Sequence, residues 1–115
     1  MAKKNDVSRL PEGVTEEKLK QLIAKHGTVY PIRQVDGDKM YRGLFRKPNL
    51  ADMSAASSLG NDQIAAGRLV YESCKLAVDP GVEDNDEVLL AFIKGVNKLF
   101  RSLEAEVGEP FGAAQ

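Results

Sequence analysis

Tyr30-Pro31-Ile32-Arg33-Gln34-Val35-Asp36-Gly37-Asp38-Lys39-Met40-Tyr41-Arg42-Gly43-Leu44-Phe45 is the stretch that decides the fold. Apolar and polar residues alternate on either side of Asp36-Gly37, a dipeptide that favours a tight two-residue turn, so the stretch predicts an antiparallel β-hairpin. With the turn at Asp36-Gly37, Ile32 lies opposite Tyr41, and Tyr30, Ile32, Tyr41 and Phe45 share one face. Arg33, Met40 and Arg42 take the other face, with Val29 and Leu44 toward its far end. Pro31 has no N–H to give a ladder, which marks its strand as an edge. A lone hairpin is marginal in water, so helices must cover the aromatic face.

Helices are written on both sides of it. Upstream, Thr15 suits an N-cap, Glu16 and Glu17 lie where the helix dipole favours anions, and Val14 is spaced to staple onto Leu19. Leu19, Leu22 and Ile23 form the apolar stripe, and His26-Gly27 closes the helix. Downstream, the strand breaks at Arg46-Lys47-Pro48-Asn49. Asn49 caps a small-residue helix from Leu50 to Leu59, with Asp52 in its first turn. Gly60-Asn61 separates it from a further helix over about Asp62–Leu76. Asp84 and Glu87 have capping-box spacing before the most amphipathic segment. There Leu89, Phe92, Ile93, Val96, Phe100, Leu103 and Val107 recur at i, i+3, i+4, i+7, and Gly108-Glu109-Pro110 ends the run. The order α, β, β, α, α, α predicts an α+β fold: an N-terminal helix, one antiparallel β-hairpin, then three helices, packed on one side of it.

A chain of 115 residues is sized for one domain with a modest core. The expected domain runs over residues 14–107, between flexible tails at 1–13 and 108–115. Cys74 is the only cysteine, so the chain cannot close a disulfide on itself, and a reducing cytoplasm suits it. No apolar run reaches membrane-spanning length, and Met1-Ala2-Lys3-Lys4-Asn5-Asp6 does not read as a secretory signal. The net charge of −1 hides an uneven spread. Residues 1–47 hold eleven Lys/Arg against six Asp/Glu, and residues 48–115 five against eleven, for nets of +5 and −6. Such a spread is either two solvated surfaces of different sign or a basic end and an acidic end that permit homo-oligomeric stacking.

No catalytic, cofactor-binding or metal-binding set emerges. His26, in the last turn of a helix, is explained by the dipole there, and Cys74 at a helix C-terminus lacks the environment that activates a thiol. The acidic run Glu83-Asp84-Asn85-Asp86-Glu87 lacks the glycine and terminal acid of a calcium loop. Arg42, Arg46 and Lys47 interleave with Tyr41 and Phe45, a mixture also used on single-stranded nucleic acid. The acidic pI and the hairpin's need for those aromatics disfavour that partner, which stays as the alternative: a small nucleic-acid-binding regulator using the basic hairpin.

On these residues the chain resembles the tail assembly chaperones of long-tailed bacteriophages and prophages. The resemblance rests on Tyr41-Arg42-Gly43-Leu44-Phe45-Arg46-Lys47-Pro48 and on the following helix with Leu50, Ser54 and Ala56. It continues through Gly67 and Glu72-Ser73-Cys74, the acidic linker and the long last helix. It spans about residues 28–107, and departs where relatives often carry Trp and this chain has Lys75-Leu76. The resemblance implies a non-enzymatic protein without cofactors that binds the tape measure protein, with tail tube subunits as a further partner. It implies work in the bacterial host cytoplasm and absence from the mature virion. Aromatic and arginine anchors are favoured at interfaces, so Tyr30, Tyr41, Phe45, Leu50 and Met53 are the expected partner contacts, rimmed by Arg42, Arg46 and Lys47.

Overall fold

The computed structural model describes residues 9–100 and 105–112. Along them run α1 (Glu16–His26), β1 (Tyr30–Asp36), β2 (Lys39–Phe45), α2 (Leu50–Ser57), α3 (Gln63–Cys74), β3 (Lys75–Val78), a 3-10 turn (Val82–Asp84) and α4 (Asp86–Phe100). The architecture is α+β, with the helix, hairpin and three later helices in the predicted order. No helix of the described residues is long and apolar enough to cross a membrane.

The hairpin turns one residue later than its sequence suggests. Asp36 pairs with Lys39, so Gly37 and Asp38 form the turn, and Ile32 lies opposite Gly43 rather than Tyr41. Gly37 has φ 67° and Asp38 a negative φ, the arrangement of a glycine-first turn whose twist matches that of the strands. Moving the turn by one residue moves each cross-strand partner by two, so every side chain keeps its face. Tyr30, Ile32, Tyr41 and Phe45 do share one.

A third strand lies beyond the hairpin. The helix expected to reach Leu76 stops at Cys74, and Lys75–Val78 pairs antiparallel with β2 through Gly43–Val78 and Leu44–Ala77. The sheet order β1-β2-β3 makes β2 central and leaves β1 at an edge, where Pro31 is tolerated. Four residues are too few to display an alternation, and here they follow directly on a helical pattern.

The helices take both sides of the sheet, which corrects the one-sided packing expected from sequence. On the inner face, the Phe45 ring meets Tyr71 of α3 at 5.6 Å and Phe92 of α4 at 6.0 Å. Val70, Cys74, Val82, Val88 and Val96 complete this core. Each large side chain fully buried there contributes about 1.5–3 kcal/mol. The rings need Gly43: a Cβ at that position would lie 2.7 Å from Phe45 and 2.9 Å from Phe92. On the outer face, α1 lays Leu19 and Leu22 on Leu44, with Leu10, Val14, Val29 and Leu76 around them. Leu44 and Phe45 are consecutive in β2 and so point to opposite layers. Ile23, read as part of the α1 stripe, is 39% exposed.

Local signals set most helix ends. The Thr15 hydroxyl accepts the Lys18 N–H at 3.1 Å, and Gly27, at φ 81°, donates its N–H to the Ile23 carbonyl. Asn49 and Asp52 form a reciprocal capping box on α2. At α4 the cap is Asn85, whose Oδ1 accepts the N–H groups of Glu87 and Val88, while Asp84 belongs to the preceding 3-10 turn. Leu10 and Glu12, assigned to a tail from sequence, touch the domain. Leu10 packs near α1, and the Glu12 N–H donates to Asp79 Oδ1 at 2.5 Å. Val107, placed on the last helix's stripe, lies outside any helix and is exposed. Leu103 and the Phe100 side chain lie outside the described residues.

Candidate functional site

The junction after β2 is held by a polar knot. Arg46 leaves the strand with its N–H on the Cys74 carbonyl at 3.0 Å, which ties it to the end of α3. Its guanidinium then forks onto Asp52, Nη1 to Oδ2 at 2.8 Å and Nη2 to Oδ1 at 3.2 Å. Asp52 also accepts the Asn49 N–H at 2.9 Å. Hydrogen bonding to Arg46 holds the Asp52 carboxyl below the usual carboxylate range. Cys74 Sγ lies 3.8 Å from Asp52 Oδ2. Burial pushes that thiol up to about 11, so it stays protonated at neutral pH and is a poor nucleophile.

A second knot joins α3 to the acidic run. The Tyr71 hydroxyl donates to Glu83 at 2.9 Å, and Lys75 Nζ meets the same oxygen at 2.6 Å. The Lys75 hydrogen bond holds the Glu83 carboxyl down, while burial and Glu83 push the Tyr71 phenol up. Among the described residues, no three His, Cys, Asp or Glu side chains gather as a cation would need. His26 sits in the last turn of α1.

The residues expected to meet a partner separate into three groups. Phe45 is wholly buried, because the inner core takes its ring. Arg46 is engaged by Asp52 and acts as a junction staple rather than as rim. Tyr30, Tyr41, Arg42, Lys47 and Met53 are half-buried; Tyr41 and Met53 pack against the inner core with part of their surface free. Leu50 is 79% exposed. It lies one helical turn before Met53 on the same side of α2.

Met53 opens onto a groove that sequence reading missed. Ala56, Ser57, Gln63, Ala66, Gly67, Val70 and Asn97 line it along with Met53, enclosing about 370 Å³ between α2, α3 and α4. Small residues make it: Ala56, Ala66 and Gly67 bring backbones together without filling the space. Gly67 is also required by packing, since a Cβ there would stand 2.7 Å from Ile93. The signal was present as the Ala-Ala and Ala-Ala-Gly runs, but which neighbour they face is a tertiary fact. A second, more open cleft of about 450 Å³ runs along the β2 margin past Met40, Tyr41, Arg42 and Asp79. Asp79 is its buried anchor, accepting the Arg42 N–H at 2.6 Å.

Fold and site together define a small α+β domain, a three-stranded sheet between one helix and three, whose helical layer carries a shallow groove of mixed apolar and polar lining. Among solved structures, an uncharacterised protein of Bacillus stearothermophilus, rbstp2171, is similar in fold. The TM-score is 0.55 at 20% identity, over 80% of this chain and 99% of that one. No protein-family model and no curated protein matches the chain.

Proposed function

We propose that this protein is a tail assembly chaperone of a long-tailed phage or prophage, binding a long helical tape measure protein during tail construction. It acts by covering apolar surface reversibly, without covalent chemistry or a cofactor. One observation carries the reading: exposed Leu50 and, one turn on, half-buried Met53 lead to the groove floored by Ala56, Ala66 and Val70. An amphipathic helix can set i, i+3 and i+4 anchors along such a line. The motif resemblance over residues 28–107 supplies the kind of client. On this reading the protein works in the host cytoplasm, can also engage tail tube subunits, and leaves the finished tail. The nucleic-acid alternative loses two of its contributors, Phe45 to the core and Arg46 to Asp52.

Co-expression with a tape measure fragment tests the proposal. The fragment is expected in the soluble fraction, co-purifying with the protein, and Leu50→Asp with Met53→Ala should abolish the complex while leaving the circular dichroism spectrum unchanged. A fragment that stays insoluble with the wild-type protein, or a complex indifferent to both changes, overturns it.

A further inference from the structure

The outer face of the hairpin is only half covered. α1 reaches the Leu44 end, and beyond it Arg33 and Arg42 are direct cross-strand partners. Like charges placed opposite each other repel unless a counter-charge sits between them. Among the described residues neither guanidinium has a carboxylate at ion-pair distance. Glu12 and Asp79 line the same cleft as Arg42, and both Asp79 oxygens already accept main-chain N–H groups, from Glu12 and Arg42. The next pair outward is Val35 with Met40, 53% and 37% exposed. This end of the sheet therefore presents two cations beside an open apolar pair.

The same chain carries the complementary pattern. Glu106-Val107-Gly108-Glu109-Pro110-Phe111 sets two carboxylates among two apolar side chains, and Val107 and Phe111 are fully exposed. We propose that this acidic segment of one copy docks on the outer hairpin face of a second copy. Its glutamates meet Arg33 and Arg42, and Val107 or Phe111 covers Val35 and Met40. A second copy is favoured over the chain's own tail by the course of α4. Asn85 touches Asp36 at the hairpin tip, so α4 starts there on the inner side and carries the chain about 22 Å away along its axis. Reaching its own outer face would require the segment to retrace that length and round the sheet. Such a contact is head-to-tail, so it propagates as a ring or a filament. The inference is independent of the tape measure reading.

Sedimentation velocity of the full chain over a wide concentration range, at low and high salt, tests it together with anisotropy titration of a labelled peptide spanning residues 105–112. Expected are concentration-dependent association and peptide binding, both weakened by salt. Arg33→Glu with Arg42→Glu, and separately Glu106→Arg with Glu109→Arg, should each weaken association by about tenfold or more. Mixing the two charge-reversed proteins should restore it. The second pair lies outside the folded layers, so its result stands even if the first perturbs the sheet. A protein that stays monomeric and leaves the peptide unbound overturns the proposal. So does association indifferent to Phe111→Ser and to both reversals, concentration-independent protection of residues 105–112 in a monomer, or binding of DNA by the arginine pair without self-association.

Discussion

The two faces of the sheet are built on different scales. The inner face has three helices over it and a ring cluster of Phe45, Tyr71 and Phe92 with essentially no exposure. The outer face has α1 alone, with Leu19, Leu22 and Leu44 as its buried members and an uncovered end at Val35 and Met40. Stability therefore resides mainly inside, and the outer layer is the part that can open at lower cost. The difference follows from side-chain supply: α3 and α4 bring aromatic and β-branched residues in quantity, whereas α1 brings two leucines and a flanking Ile23.

Paired truncations are the strongest way to break this comparison. Phe92→Ala should lose about 3–5 kcal/mol in chemical denaturation, and Leu22→Ala only about 2 kcal/mol, because the shallow outer layer can relax around the loss. Equal losses would remove the distinction. Gly43→Ala comes next. Its new methyl would collide with both inner rings, so a cost of about 1–3 kcal/mol is expected from overpacking; a neutral result would show that the rings are less constrained than their contacts imply.

Arg46→Met sharpens the role of the junction knot. Leaving the Asp52 carboxylate without its fork should cost about 1–3 kcal/mol at neutral pH. The pH dependence carries a definite sign. Asp52 and Glu83 are both held below their ordinary range, by Arg46 and Lys75 respectively. Their stabilisation is complete above the unfolded-state carboxylate range and fades as pH falls through and below about 4. Denaturation midpoints measured from pH 6 down to pH 3 should drop less steeply in Arg46→Met than in the wild type; parallel curves would detach Asp52 from the acid limb. The smallest effect is expected at Thr15→Ala, about 1 kcal/mol from the lost cap. Hydrogen exchange should show it chiefly as faster opening of α1, with the amides of α4 little changed.

The legible parts of this protein are those fixed by neighbours in sequence. Thr15 and Asn49 announce their helices because each cap is a contact across three residues. The hairpin faces survive a misplaced turn because alternation, not the turn, assigns them. At α4 the same logic misled by one position: Asp84 had the spacing, and Asn85 does the capping. The candidate site was less legible. Tyr41 and Phe45 look alike on the strand, yet one keeps a free edge and the other vanishes under Tyr71 and Phe92. The groove depends on α2, α3 and α4 converging, which no single segment records.

From its sequence alone the chain determines an α+β fold, the side of the hairpin each residue occupies and the amphipathic character of its last helix, because these rest on contacts a few residues apart. Only the tertiary structure decides that Lys75–Val78 joins the sheet, that α1 crosses to the outer face, that Arg46 is spent on Asp52, and that a groove opens beside Met53. Those outcomes depend on burial and pairing between distant segments, where competing partners are compared in space rather than along the chain.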